Sequence, residues 1–103
     1  MKTIMLVCVA GMSTSLLVTK MQKAAQAQNM EADIFAIAEN EVEKTMENKS
    51  IDVLLLGPQV RYLKSSFDKK LAGTGIPLDV ISMSDYGMMN GENVLNQALH
   101  LMK

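Results

Sequence analysis

Thr3-Ile4-Met5-Leu6-Val7-Cys8-Val9-Ala10-Gly11-Met12-Ser13-Thr14-Ser15-Leu16-Leu17 is the stretch that decides the fold. Residues 3–8 form a short apolar run, β-branched at Thr3, Ile4 and Val7, and read as a strand. Small and hydroxyl residues then interrupt the run, and a helical stripe starts at Leu17. A strand, a short loop and a helix start in that order make a phosphate cradle, because loop N–H groups and the positive end of the helix converge on one point. Cys8 is the only cysteine and holds the first position of the loop, where those donors favour a thiolate and can bind phosphate oxygens.

Outward from this stretch the hydrophobic period alternates between strand runs and helical stripes, as in a parallel α/β sheet. A first helix is predicted over 15–28, with Leu17, Met21, Ala24, Ala25 and Gln28 on one face and Asn29 at its exit. A second strand covers 32–38. A short acidic helix over 40–47 follows, with Val42 and Met46 as its apolar stripe. The run at 51–56 is the most continuous and suits a central strand covered on both faces. Gly57-Pro58 ends it, and a helix over 59–71 turns Val60, Leu63, Phe67 and Leu71 inward until Ala72-Gly73-Thr74-Gly75 breaks it. A fourth strand over 78–81, a loop over 82–90 and a helix over 91–102 complete the chain. The inner face of that last helix is Val94, Leu95, Ala98, Leu99 and Met102.

Right-handed crossovers favour a flavodoxin-like sheet of order 2-1-3-4 with helices on both faces, in one domain spanning 1–103. The winding reverses between strands 1 and 3. The ligand crevice is therefore expected beyond their carboxyl ends, where the Cys8 loop meets Gly57-Pro58-Gln59.

Composition narrows the function classes. The 103 residues are 49% hydrophobic and 20% charged with net charge −1, which provides no electrostatic footprint for nucleic acid. A lone cysteine makes no internal disulfide and suits a reducing cytoplasm. The apolar run after Lys2 is short for a secretory signal, and no segment approaches the ~18 apolar residues of a membrane span.

Among the residues able to carry chemistry, one of Ser13, Thr14 and Ser15 is expected to cap the first helix, which leaves the other hydroxyls for an oxyanion. The loop lacks the lysine and the glycine spacing of a nucleotide P-loop. The tyrosine-phosphatase pattern, Cys followed by five residues and Arg, would place arginine at position 14. Thr14 stands there, so the guanidinium clamp for transferring phosphoryl charge is missing. Asp85 reads as a turn residue before it reads as a general acid. His100, the only histidine, reads as a solvated helix end, and one Cys with one His makes no metal site. Glu39, Glu41, Glu43 and Glu47 read as a solvated face. Most of the ten methionines suit the core, but Met12, Met88 and Met89 fall in crevice loops where flexible apolar side chains suit docking.

Val7-Cys8-Val9-Ala10-Gly11-Met12-Ser13-Thr14-Ser15-Leu16-Leu17-Val18, Asp52-Val53-Leu54-Leu55-Leu56-Gly57-Pro58-Gln59-Val60, and Tyr86-Gly87 with Gly91 together resemble the IIB components of the bacterial phosphoenolpyruvate-dependent sugar phosphotransferase system, lactose/cellobiose (chitobiose) type. The resemblance spans essentially the whole chain. It implies a cytoplasmic phosphocarrier with a four-stranded parallel sheet. Cys8 would accept a phosphoryl group from a phosphohistidine of the IIA protein and pass it to a sugar, such as cellobiose, chitobiose or lactose, held by the membrane protein IIC. Val9, Ala10, Gly11, Met12, Ser13, Thr14 and Ser15 would surround the phosphate, with neither metal nor organic cofactor. Val9 is often polar in that family, and its amide is unaffected by the difference. Met12, Gly57, Pro58, Gln59, Tyr86 and Met88 are the expected docking residues. A phosphatase-like hydrolase using Cys8, or a non-enzymatic thiol or regulatory module, are the readings from other classes.

Overall fold

The computed structural model describes residues 1–8 and 12–102, Met12 and Ser13 by their backbone alone. At its centre four parallel strands, β1 (Lys2–Cys8), β2 (Ala32–Ala38), β3 (Val53–Leu56) and β4 (Leu78–Val80), lie in the order β2-β1-β3-β4. The expected flavodoxin-like order is the one found. The helices are α1 (Met12–Ala27), α2 (Val42–Asn48), α3 (Lys64–Leu71), α4 (Met83–Gly87) and α5 (Gly91–Leu101).

Strand alternation divides the core into two layers. Ile4 and Leu6 of β1 join Val53 and Leu55 of β3 beneath α1 and α5, with Leu17, Val18, Met21, Ala25, Val94, Leu95 and Ala98. Met5, Val7, Leu54 and Leu56 point the other way, onto Val42, Val60, Phe67 and Leu71. Both central strands are thus buried on both faces, which is why their sequences are runs rather than alternations. Side chains from the helices tie down the two edge strands. Gln22 Nε2 donates to the Ile34 carbonyl of β2, and Gln97 Nε2 donates to Asp79 Oδ2 and the Val80 carbonyl of β4.

Several boundaries differ from the periodicity for local reasons. β3 starts at Val53 rather than Ile51. Just before it, the Asp52 carboxylate accepts the Thr3 N–H at 2.7 Å while the Asp52 N–H donates to the Thr3 carbonyl at 2.9 Å, so a side chain takes one rung of the ladder. The helix expected over 59–71 is a 3-10 segment, Pro58–Leu63, followed by α3, because Val60 leaves helical geometry at φ −116°, ψ 21°. The acidic helix likewise begins as a 3-10 turn, Glu39–Glu41. The stretch 82–90, expected as a loop, contains α4, capped by Ser82 whose side chain accepts the Asp85 N–H at 3.1 Å. Gln28 is exposed rather than on the inner face of α1, and Asn29 makes the helix exit at φ 55°.

Two elements pack closely enough to demand glycine. A Cβ at Gly91, the first residue of α5, would lie 2.5 Å from the Lys20 carbonyl carbon and 2.7 Å from the Met21 nitrogen. α5 therefore enters against the bare backbone of α1.

Candidate active site

β1 delivers Cys8 to the carboxyl edge of the sheet as its last residue, paired with Ala38 of β2. By alternation it shares the face of Ile4 and Leu6, the face that α1 and α5 cover. The residue is 6% exposed, and its Sγ makes a long, weak contact of 3.9 Å to the Ile37 carbonyl oxygen. On the other side, the Gly57 N–H donates to the Val7 carbonyl at 2.8 Å and extends the β1–β3 pairing by one step. A Cβ on Gly57 would stand 3.7 Å from Cys8 Cβ and 3.1 Å from Gln59 Oε1. Gly57 thus sets no side chain against Cys8.

α1 begins at Met12, three residues before the expected start. Ser13, Thr14 and Ser15 consequently lie inside the first turn, and none of them is the residue before the helix that a cap requires. The first-turn N–H groups of Met12, Ser13 and Thr14 have no partner within the helix and carry the positive end of its dipole. Sixteen residues of α1 stand behind that end. Val9, Ala10 and Gly11, expected to surround a phosphate, lie outside the described residues, as do the side chains of Met12 and Ser13.

The hydroxyls of the first turn have different surroundings. Ser15 is exposed, whereas Thr14 is 3% exposed, the one buried polar side chain among the described residues. Thr14 Oγ1 lies 2.7 Å from the Tyr86 hydroxyl. Tyr86 is half-buried on the α1–α5 core, so its ring packs while its oxygen reaches the start of α1. Asp85 is held by its neighbours: Oδ1 accepts from Asn93 Nδ2 at 3.1 Å, and its N–H goes to Ser82. That agrees with a structural role. His100 is exposed in the last turn of α5, a solvated helix end. Among the described residues no three His, Cys, Asp or Glu side chains gather as metal ligands.

The expected docking residues are dispersed by depth. Gly57 and Pro58 are buried and shape the edge, Gln59 is exposed, and Met88 is 74% exposed. Sequence reasoning passed over Leu16, Tyr62 and Met83, which are 51%, 72% and 70% exposed. Each follows the carboxyl end of a strand, and Tyr62 and Met83 line a hollow of about 440 Å³ with Pro58, Gln59 and Arg61. Their signal was available: they are large apolar residues off the inward stripe of their elements. Apart from Met1, every exposed large hydrophobic among the described residues lies beyond a carboxyl end of the sheet.

The fold recurs in known proteins. Residues 3–97 match the family model of the lactose/cellobiose-specific IIB subunit of the phosphotransferase system. The chain is 49% identical to the galactose-specific EIIB component of Lactococcus lactis subsp. cremoris, over 98% of this chain and 96% of that one. It is 44% identical to the oligo-beta-mannoside-specific EIIB component of Bacillus subtilis, over 99% and 97%. The solution structure of the cellobiose-specific phosphotransferase IIB component of Borrelia burgdorferi superposes with a TM-score of 0.79 at 42% identity, covering 98% of this chain and 91% of that one. The lactose-specific IIB domain of Streptococcus pneumoniae shares the fold at a TM-score of 0.86 and 15% identity, over 99% and 98%. The chain therefore belongs to the lactose/cellobiose-specific IIB family of the sugar phosphotransferase system, phosphotransferases that work with IIA and IIC partners in sugar transport.

Proposed function

We propose that Cys8 is the phosphoryl carrier of this IIB component, receiving the group from phosphohistidine of a IIA protein and giving it to a sugar held by a membrane IIC protein. The observation that carries the reading is the position of the thiol, at the end of a central strand and separated by three residues from the first turn of α1, whose leading amides have no partner inside the helix. In the first step the Cys8 sulfur forms the S–P bond as the N–P bond of phosphohistidine breaks; the leaving imidazole recovers the electron pair and takes up the proton that the thiol gives up. In the second step a sugar hydroxyl forms the O–P bond, the S–P bond breaks, and the hydroxyl proton restores the thiol. The amides of Met12, Ser13 and Thr14, together with the loop 9–11 and the hydroxyls of Ser13 and Ser15, hold the equatorial oxygens in both directions.

The exposed apolar rim of Leu16, Tyr62, Met83 and Met88 supports docking of the partners around the thiol. IIA and IIC engage the same edge in turn, since one sulfur serves both transfers. The relatives named for cellobiose and an oligo-beta-mannoside favour a sugar of the β-linked di- or oligosaccharide class, while a third is named for the monosaccharide galactose. No helix among the described residues is long and apolar enough to cross a membrane, and the chain acts on the cytoplasmic side, where a free thiol is kept reduced. Residues 1–103 work as one IIB domain.

Incubation with phosphoenolpyruvate and the upstream carriers tests the reading. One phosphoryl group per chain is expected, absent in Cys8→Ser. Label on His100, or undiminished incorporation in Cys8→Ser, refutes it.

A further inference from the structure

We infer that Tyr86 is a positioning residue for phosphoryl transfer, its hydroxyl holding the first turn of α1 in register over Cys8 through Thr14. This rests on Cys8 as the carrier. Two hydroxyls 2.7 Å apart share one proton, and Thr14 is 3% exposed, so water replaces the Tyr86 hydroxyl poorly. The bond joins segments 72 residues apart, and it is the side-chain hydrogen bond among the described residues that reaches the first turn of α1 from another element. Thr14 is the third residue of α1, so its backbone N–H is one of the donors without a partner inside the helix, and whatever orients its side chain also aims that N–H. A hydroxyl donates once and accepts twice. With the phenol donating to Thr14 Oγ1, the Thr14 side chain is held in one orientation, and the backbone of the first turn is held with it.

The other end of the bond is equally well anchored. The Tyr86 ring packs on the α1–α5 core, its N–H donates to the Ser82 carbonyl at 3.0 Å, and the adjacent Asp85 is tied to Asn93 of α5. A tyrosine facing a partner would present its hydroxyl outward, as the 72%-exposed Tyr62 can. Tyr86 turns its oxygen inward.

Single-turnover transfer from radiolabelled phospho-IIA, measured across IIA concentrations, separates positioning from docking. Tyr86→Phe keeps the ring and removes the oxygen. The plateau rate should fall about tenfold, the scale of one buried hydrogen bond, with the half-saturating IIA concentration unchanged. Thr14→Val should fall equally, and the double variant should fall no further than either single, since both remove one bond. Thr14→Ser retains a hydroxyl and should keep most of the rate, which tests the bond even if Tyr86→Phe folds poorly. A wild-type plateau in folded Tyr86→Phe, a change confined to half-saturation, additive losses, or a Thr14→Ser protein as slow as Thr14→Val each overturns the proposal. Failure of the underlying reading looks different: wild-type protein takes no label, or Cys8→Ser takes as much, and both proposals fall together.

Discussion

Gly91→Ala isolates the contact that sets the distance between the two helices on the active face. The added Cβ would meet the Lys20 carbonyl carbon at 2.5 Å, Lys20 Cβ at 2.7 Å and the Met21 nitrogen at 2.7 Å. Two of these are backbone atoms in the middle of α1, and no rotamer change moves them. Ordinary contact begins near 3.4 Å, so α5 must retreat by about 0.9 Å. That retreat loosens Val94, Leu95 and Ala98 from Leu17, Met21 and Ala25, all buried. Overpacking of this kind costs about 1–3 kcal/mol, and a backbone obstacle puts it near the top of that range. Alanine recovers at most about 1 kcal/mol of helix propensity, less in a first turn.

The net loss is about 2 kcal/mol, which for a domain of this size lowers the melting temperature by about 10 °C. Thermal and urea unfolding followed by circular dichroism measure it. Gly87→Ala, where a Cβ meets nothing within 4 Å, is the internal comparison and should melt with the unmodified chain. Gly91→Ala melting at or above the parent temperature would refute the reasoning, because helix propensity alone would then govern the site. Since Asn93 of α5 holds Asp85 beside Tyr86, the displacement should also slow phosphoryl transfer.

Asn90→Ala removes the cap whose Oδ1 accepts the Asn93 N–H at 3.0 Å, and should cost about 1 kcal/mol in urea unfolding; a loss indistinguishable from zero would mean that water serves the amide as well. Gly57→Ala is compatible with the backbone at φ −63° and adds a methyl 3.7 Å from Cys8 Cβ, so its melting temperature should hold while transfer from phospho-IIA slows. Transfer at the parental rate would show that a methyl there does not obstruct the thiol.

The sheet was legible because burial on both faces leaves a plain mark: the run at 51–56 suited a central strand, and 2-1-3-4 was the simplest order that right-handed crossovers allow with helices on both faces. Boundaries set by individual hydrogen bonds were not. Nothing in hydrophobic periodicity reveals that the Asp52 carboxylate takes a ladder position from Ile51, or that Val60 breaks a stripe that otherwise has helical spacing. α4 was hidden because five residues are too few to show a period, although Ser82 three residues before Asp85 is a capping pattern. At the site, the placement of Cys8 at the end of β1 was visible from its context. The Thr14–Tyr86 bond was not, since it joins two segments by tertiary packing, and sequence spacing carries no trace of such a pair.

That bond also alters the meaning of threonine where a phosphatase loop has arginine. The sequence comparison treats position 14 as a missing clamp on transferring phosphoryl charge. In the fold it is an occupied place: Thr14 is buried beneath the first turn, and its hydroxyl is committed to Tyr86 at 2.7 Å. A guanidinium there would have to displace the tyrosine oxygen and leave the buried site before it could reach a phosphate. A cation over the phosphoryl group stabilises attack by any nucleophile, water included, whereas oriented amides stabilise the charge only of a group seated in line with them. A carrier needs the second arrangement. With Cys8 as the proposed carrier, its phosphocysteine would have to outlast the exchange of IIA for IIC, and neutral donors aimed by Thr14 and Tyr86 would favour transfer between docked partners over loss to solvent.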